Sequence, residues 1–82
     1  MLTKRDRTAA HKALEEVQRR RAGGITLCME RAGSWKDLAT MAAMNENLLI
    51  MMGNGTRAVT EIAARRFEVA LGLPLAWLDE KH

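Results

Sequence analysis

The chain has 82 residues and a formal net charge of +3, 48% of it hydrophobic but only 4% aromatic. That bounds it to one small domain with an aliphatic, helical core near the lower size limit for folding unaided. No stretch approaches the ~20 apolar residues of a membrane span, and no secretory leader is visible. The single Cys28 excludes an intrachain disulfide and fits a reducing compartment, with the cytoplasm the expected location.

In chain order, Thr3-Lys4-Arg5-Asp6 has the pattern of a capping box that opens a helix, with Ala10, Leu14 and Val17 on one face. Glu15 and Glu16 precede Arg19 and Arg20 at four-residue spacing, worth a few tenths of a kcal/mol per pair. This first helix carries a thin apolar stripe and ends in Arg19-Arg20-Arg21. It reads as a solvated charged helix, as an arm for a DNA backbone, or as a dimerisation helix. Gly23-Gly24 follows, and two helix-interior glycines cost about 2 kcal/mol relative to Ala. A break or kink is expected near there, with a continuous helix the other reading, and the chain is divided into a basic segment, 1–22, and a domain, 23–82. Ile25, Cys28 and Met29 then share a helix face closed by Gly33. Cys28 on that face reads as a small buried hydrophobe.

Ser34 and Asp37 form a second capping-box pattern, and Leu38, Ala39 and Ala42 fall on one face after it. Asn45 is a good N-cap for a further short run, Leu48, Leu49 and Met52, stopped by Gly53-Asn54-Gly55. Two helices this short must pack on their neighbours. Thr60 caps the next helix, in which Ile62, Phe67, Val69 or Ala70, and Leu71 are expected to point inward. Gly72 ends it, Leu73-Pro74 leads to a final short turn, and Trp77 and Leu78 are expected to lock the bundle or form a subunit contact. The fold class expected is all-α: a compact bundle of about five short helices containing a helix-turn-helix, with an extra basic N-terminal helix.

The stretch Ser34–Gly55 resembles the lambda-repressor-like (Cro / xenobiotic-response-element type) helix-turn-helix family. Leu38-Ala39, Ala43, Leu49, Met52 and Asn54-Gly55 occupy that family's places at its spacing. The segment from Ala64 to Asp79 is similar to the "ARR-x-E-x-ALGLP-x-x-WLD" ending of many phage and bacterial regulators of the same family. The resemblance covers about Ile25 to Asp79. It implies a DNA-binding transcriptional regulator of phage or mobile-element type, a homodimer reading double-stranded DNA with the 45–52 helix.

Mapped by that resemblance, Asn45, Glu46, Asn47, Leu48, Ile50 and Met51 would meet base edges. Asn47 suits adenine N6/N7, Glu46 cytosine N4, and Leu48 a thymine methyl. Trp35 stands where the family most often has a Gln that touches phosphate and braces the recognition helix; its indole N–H would donate to a phosphate, or its ring would pack. Lys36, Asn54 and Arg57 are phosphate candidates by position, and for Asn54 a turn needing positive φ is an equal reading. Arg65 and Arg66 match the family's Arg pair, one of them expected to bind a carboxylate on a neighbouring helix.

Charge sharpens the picture. Before Ser34, eight Lys and Arg against four Asp and Glu leave +4; from Ser34 on, five against six leave −1. The basic charge is N-terminal, so Arg19, Arg20 and Arg21 join the phosphate candidates, because phosphate neutralisation supplies most non-specific DNA affinity. Ile50 and Met51 depart from the family, which places polar or small residues there. Leu48, Ile50 and Met51 are expected exposed, and such a cluster more often marks a protein contact. The alternative function is therefore a protein-interaction module, an antirepressor or assembly role, through the Leu48/Ile50/Met51 face. No residue set suggests an enzyme, a cofactor or a metal: His11 and His82 lie near opposite ends, and there is no Cys/His cluster or phosphate loop.

Overall fold

The computed structural model describes residues 3–82, and all regular structure among them is helical. Helix α1 (Lys4–Ala32) starts at the Thr3 capping box: the Thr3 hydroxyl accepts the Asp6 N–H at 3.1 Å, and Asp6 Oδ2 accepts the Thr3 N–H at 3.2 Å. Gly33 ends it at φ 105°, in the left-handed conformation that glycine adopts without strain. Met1 and Leu2 of the basic N-terminal segment lie outside the described residues.

The expected break at Gly23-Gly24 does not occur. One helix of 29 residues runs through it, so four α-helices and a short 3-10 turn replace about five helices. Gly24 is buried, and a Cβ built there would stand 2.8 Å from Leu78 Cδ2 and 3.3 Å from Trp77 Cζ3. Close approach of the C-terminal turn offsets the propensity cost at this position. Gly23 is exposed with nothing near its missing Cβ, and the structure offers no compensation for it.

Helix α2 (Trp35–Ala42) begins where the Ser34 hydroxyl accepts the Asp37 N–H at 3.0 Å; the reciprocal half of the expected box is not formed. Leu38, Ala39 and Ala42 are buried as their spacing predicts. Helix α3 (Glu46–Gly53) follows through residues 43–45, with Ala43 at φ 54° and Asn45 Oδ1 accepting the Leu48 N–H at 3.1 Å. Helix α4 (Glu61–Leu71) is capped by Thr60 and closed by Gly72 at φ 68°. The 3-10 turn Trp77–Asp79 then lies against α1 and α4.

The core is Ile25 from α1, Leu38, Ala39 and Ala42 from α2, Leu49 and Met52 from α3, Val59, Ala64 and Phe67, and Leu78. Burying one such large side chain is worth about 1.5–3 kcal/mol. Cys28 and Met29 pack half-buried against this core, and burial pushes the Cys28 thiol up, partly opposed by the charge of Arg31.

The inward face of α4 differs from expectation. Ile62 and Val69 are 67% and 77% exposed, whereas Ala64, Phe67 and Glu68 are buried. The register turns inward because Glu68 has a task inside: its two oxygens accept the backbone N–H groups of Ala76, at 3.1 Å, and Leu78, at 2.8 Å. A carboxylate so placed holds the C-terminal turn onto α4.

The first half of α1 has no core beneath it. Every residue from Thr3 to Glu15 is exposed, including Ala10 and, at 67%, Leu14, which spacing had assigned to an apolar stripe. At ~1.5 Å per residue the helix is about 43 Å long, which sets the 45 Å long axis of the molecule.

Candidate nucleic-acid interface

Helix α3 presents two unlike sides. Leu49 and Met52 point into the core, while Glu46, Asn47 and Met51 are exposed and Ile50 is half-buried. At helical spacing Asn47, Ile50 or Met51, and Asn54 share the outer face. Asn45 spends its side-chain carbonyl on the cap of α3, which leaves its amide N–H groups for a ligand. Leu48 is half-buried and leans towards α4, in a shallow groove of about 370 Å³ that also involves Met44, Ile62, Ala63 and Arg66. The expected exposed cluster Leu48, Ile50 and Met51 is thus reduced to Met51, at 40% exposure. The reason is packing on several sides: α3 lies against both α1 and α2, and Leu48 turns to the α4 side.

Trp35 braces α3 directly. A Cβ built at Gly53 would overlap Trp35 Cη2 and stand 3.2 Å from its Cζ2 and Cζ3, so the indole meets the end of α3 with the edge of its six-membered ring. On the other side Thr26 of α1 donates its hydroxyl to the Gly53 carbonyl at 3.2 Å. Gly53 is pinned between two helices.

Lys36 and Arg57 stand exposed at either flank, and neither has a carboxylate within ion-pair distance among the described residues. Asn54 does not need positive φ. It sits at φ −88°, its Oδ1 accepts the Thr56 N–H at 3.0 Å and the Thr56 hydroxyl at 2.7 Å, and Gly55 takes the positive φ instead.

The three consecutive arginines divide sharply. Arg19 is exposed and pairs with Glu16 at 3.1 Å; Arg20 shares the same carboxylate at 3.1 Å. Glu15, expected opposite Arg19, meets His11 at 2.7 Å. Arg21 faces inward and is 6% exposed. Its Nε donates to Asp79 Oδ1 at 2.6 Å, its Nη1 to the Val59 carbonyl at 2.8 Å and its Nη2 to Glu61 at 2.7 Å. Its guanidinium has no remaining face for a phosphate. The Asp79 hydrogen bond, against desolvation, raises the Arg21 pKa, and Arg21, then Arg65, hold the Asp79 carboxyl below the usual carboxylate range.

Arg65 completes this lock from α4, with Nη2 donating to Asp79 Oδ1 at 3.0 Å. Its Nε lies 3.0 Å from Glu68 Oε1 but out of line for a hydrogen bond. One of the paired arginines therefore does bind a carboxylate on another element, as expected; Arg66 stays exposed. The residues that carry the C-terminal resemblance, Arg65, Glu68, Gly72, Trp77, Leu78 and Asp79, together tie the last turn to α1 and α4. Sequence reasoning missed Arg21, Gln18 and Glu68 as parts of this frame. Gln18 forms a two-way bond with the Val59 backbone, donating at 2.9 Å and accepting at 2.7 Å. A polar residue on the Leu14 side of α1 was the only hint.

Among the described residues, no helix is long and apolar enough to cross a membrane. No family model, curated protein or solved structure matches the chain.

Proposed function

We propose that the protein is a small DNA-binding transcriptional regulator in which α3 enters the major groove as the reading element of a homodimer. The observation that carries the reading is the outer face of α3. Its first turn offers Glu46 and Asn47 to solvent, its core side is spent on Leu49 and Met52, and Lys36 and Arg57 flank it uncommitted. An exposed Asn and Glu on a helix have the chemistry to read adenine N6/N7 and cytosine N4. Two such helices in a symmetric dimer would address half-sites about 34 Å apart. Asn47→Ala tests this: discrimination should relax by about 1–3 kcal/mol at one base position. Specific affinity unchanged across Glu46→Ala, Asn47→Ala and Leu48→Ala would refute it.

The second reading, a protein-interaction module, moves from the outer face of α3 to its side. The groove beside Leu48, with Met44 and the 67%-exposed Ile62 on its walls, is the observation that favours it. Ile62→Lys would then abolish partner binding and leave DNA affinity unchanged.

A further inference from the structure

An open groove of about 640 Å³ runs between α1 and the turn after α3, with His11, Leu14 and Gln18 on one wall and Asn54, Arg57 and Ala58 on the other. Gln18 fixes the rotation of α1 here through its two bonds to Val59. At about 100° per residue, Lys4 and Arg7 continue the same row of α1 as His11, Leu14 and Gln18. They lie about 16–21 Å beyond Gln18 at ~1.5 Å per residue, on the overhanging half of the helix.

The charges facing this row are Lys4, Arg7 and Arg57, with Glu15 held by His11 at 2.7 Å. Arg19, at the edge of the groove, is taken by Glu16 at 3.1 Å. Asp6 lies about a third of a turn away from this row, bonded to the Thr3 cap. Lys4 and Arg7 have no carboxylate within 4 Å among the described residues. Apart from Arg31 in its last turn, the positive charge of α1 with no carboxylate within 4 Å among the described residues sits on the overhang and not at Arg19-Arg20-Arg21, where each guanidinium already has a carboxylate.

We propose that Lys4, Arg7 and Arg57 form one strip that holds the phosphate backbone of a duplex, outside the stretch met by α3. This rests on the DNA reading above and adds where the backbone is gripped. A duplex carries one negative charge per about 1.7 Å of axis, so an overhang of this length meets several phosphates. It also gives a role to a half-helix whose residues from Thr3 to Glu15 are all exposed.

The test is the salt dependence of binding to a random-sequence duplex of about 30 base pairs, three helical turns, followed by fluorescence anisotropy. Lys4→Gln/Arg7→Gln should lower the log–log salt slope by about 1.8, at ~0.9 per phosphate contact. Affinity should fall about tenfold or more at ~0.1 M salt. Arg5→Gln/Lys12→Gln removes the same charge from about a third of a turn round the helix, and should change the slope by less than ~0.5. All four side chains are exposed, so thermal unfolding should match the parent in both variants. Equal losses from both pairs would replace the strip by diffuse charge and overturn it. An unchanged slope in Lys4→Gln/Arg7→Gln, with a parent that still selects a motif, would overturn the strip and leave the α3 reading standing. A parent that binds no duplex, or prefers anionic phospholipid vesicles at equal salt, would overturn both.

Discussion

Asp79 closes on Arg21 across 58 positions of chain, its Oδ1 2.6 Å from Nε and its Oδ2 3.2 Å from Nη2. The pair is the joint at which the C-terminal turn meets the long first helix, and it has consequences for stability.

Asp79→Asn should leave the 8%-exposed Arg21 side chain with only the largely solvated Glu61 as an anionic partner. Removing one member of a buried pair is strongly destabilising; with Asp79 itself 28% exposed, the loss should be about 2–3 kcal/mol. Urea unfolding measures it. Arg66→Gln, on the exposed neighbour of Arg65, should stay within about 0.5 kcal/mol of the parent.

The same joint sets a pH dependence. Because Asp79 is held below its ordinary range when folded, an unfolded chain binds its proton first as pH falls, and stability rises with pH in that window. The contribution is complete above about pH 4, the range of an unstructured Asp. It disappears as pH falls through the lowered folded value. The stability gap between parent and Asp79→Asn should therefore be constant at neutral pH and shrink as pH falls below about 4.

The two adjacent glycines of α1 should respond with opposite sign. Gly23→Ala meets open space and gains helix propensity, about 0.5–1 kcal/mol. Gly24→Ala drives a methyl to within 2.8 Å of Leu78 Cδ2, so the fully buried Leu78 must shift within the core. A net loss of about 1–2 kcal/mol is expected, read as a Tm change of about 4–8 °C per kcal/mol in a domain of this size.

Gly53→Ala should displace the Trp35 indole from the end of α3. The expected signature is a changed Trp35 fluorescence, resolved from Trp77 in a Trp77→Phe background, with a stability loss of about 1–3 kcal/mol. If α3 reads DNA, affinity for a selected duplex should fall further than stability alone explains, because the brace that orients the helix is gone.

Much of the architecture was legible in local patterns. Thr3, Ser34, Asn45 and Thr60 all cap the helices they were expected to start, and Gly33 and Gly72 end theirs. These signals are local, and so are the hydrogen bonds that satisfy them. The failures were non-local. Gly23-Gly24 read as a break because propensity does not see Leu78 arriving from 54 residues later. Ile62 and Val69 read as inward because hydrophobicity outranked Glu68, whose burial depends on two backbone N–H groups in a turn not yet placed. Arg21 looked like its neighbours Arg19 and Arg20, and only the fold separates the guanidinium that is buried from those that are not. At the candidate interface, Glu46 and Asn47, which the family resemblance placed outward, are exposed, whereas the partial burial of Leu48 depends on the α4 side of its groove.

The decisive measurement is selection of duplexes from a random-sequence library by the full chain at near-physiological salt, with sequencing of what is retained. Enrichment of a two-fold-symmetric motif with half-sites one helical turn apart, about 34 Å, is the result expected of α3 as the reading element. Retention without any enriched motif would contradict it, and would leave a protein that touches DNA through Lys4, Arg7 and Arg57 but does not read it.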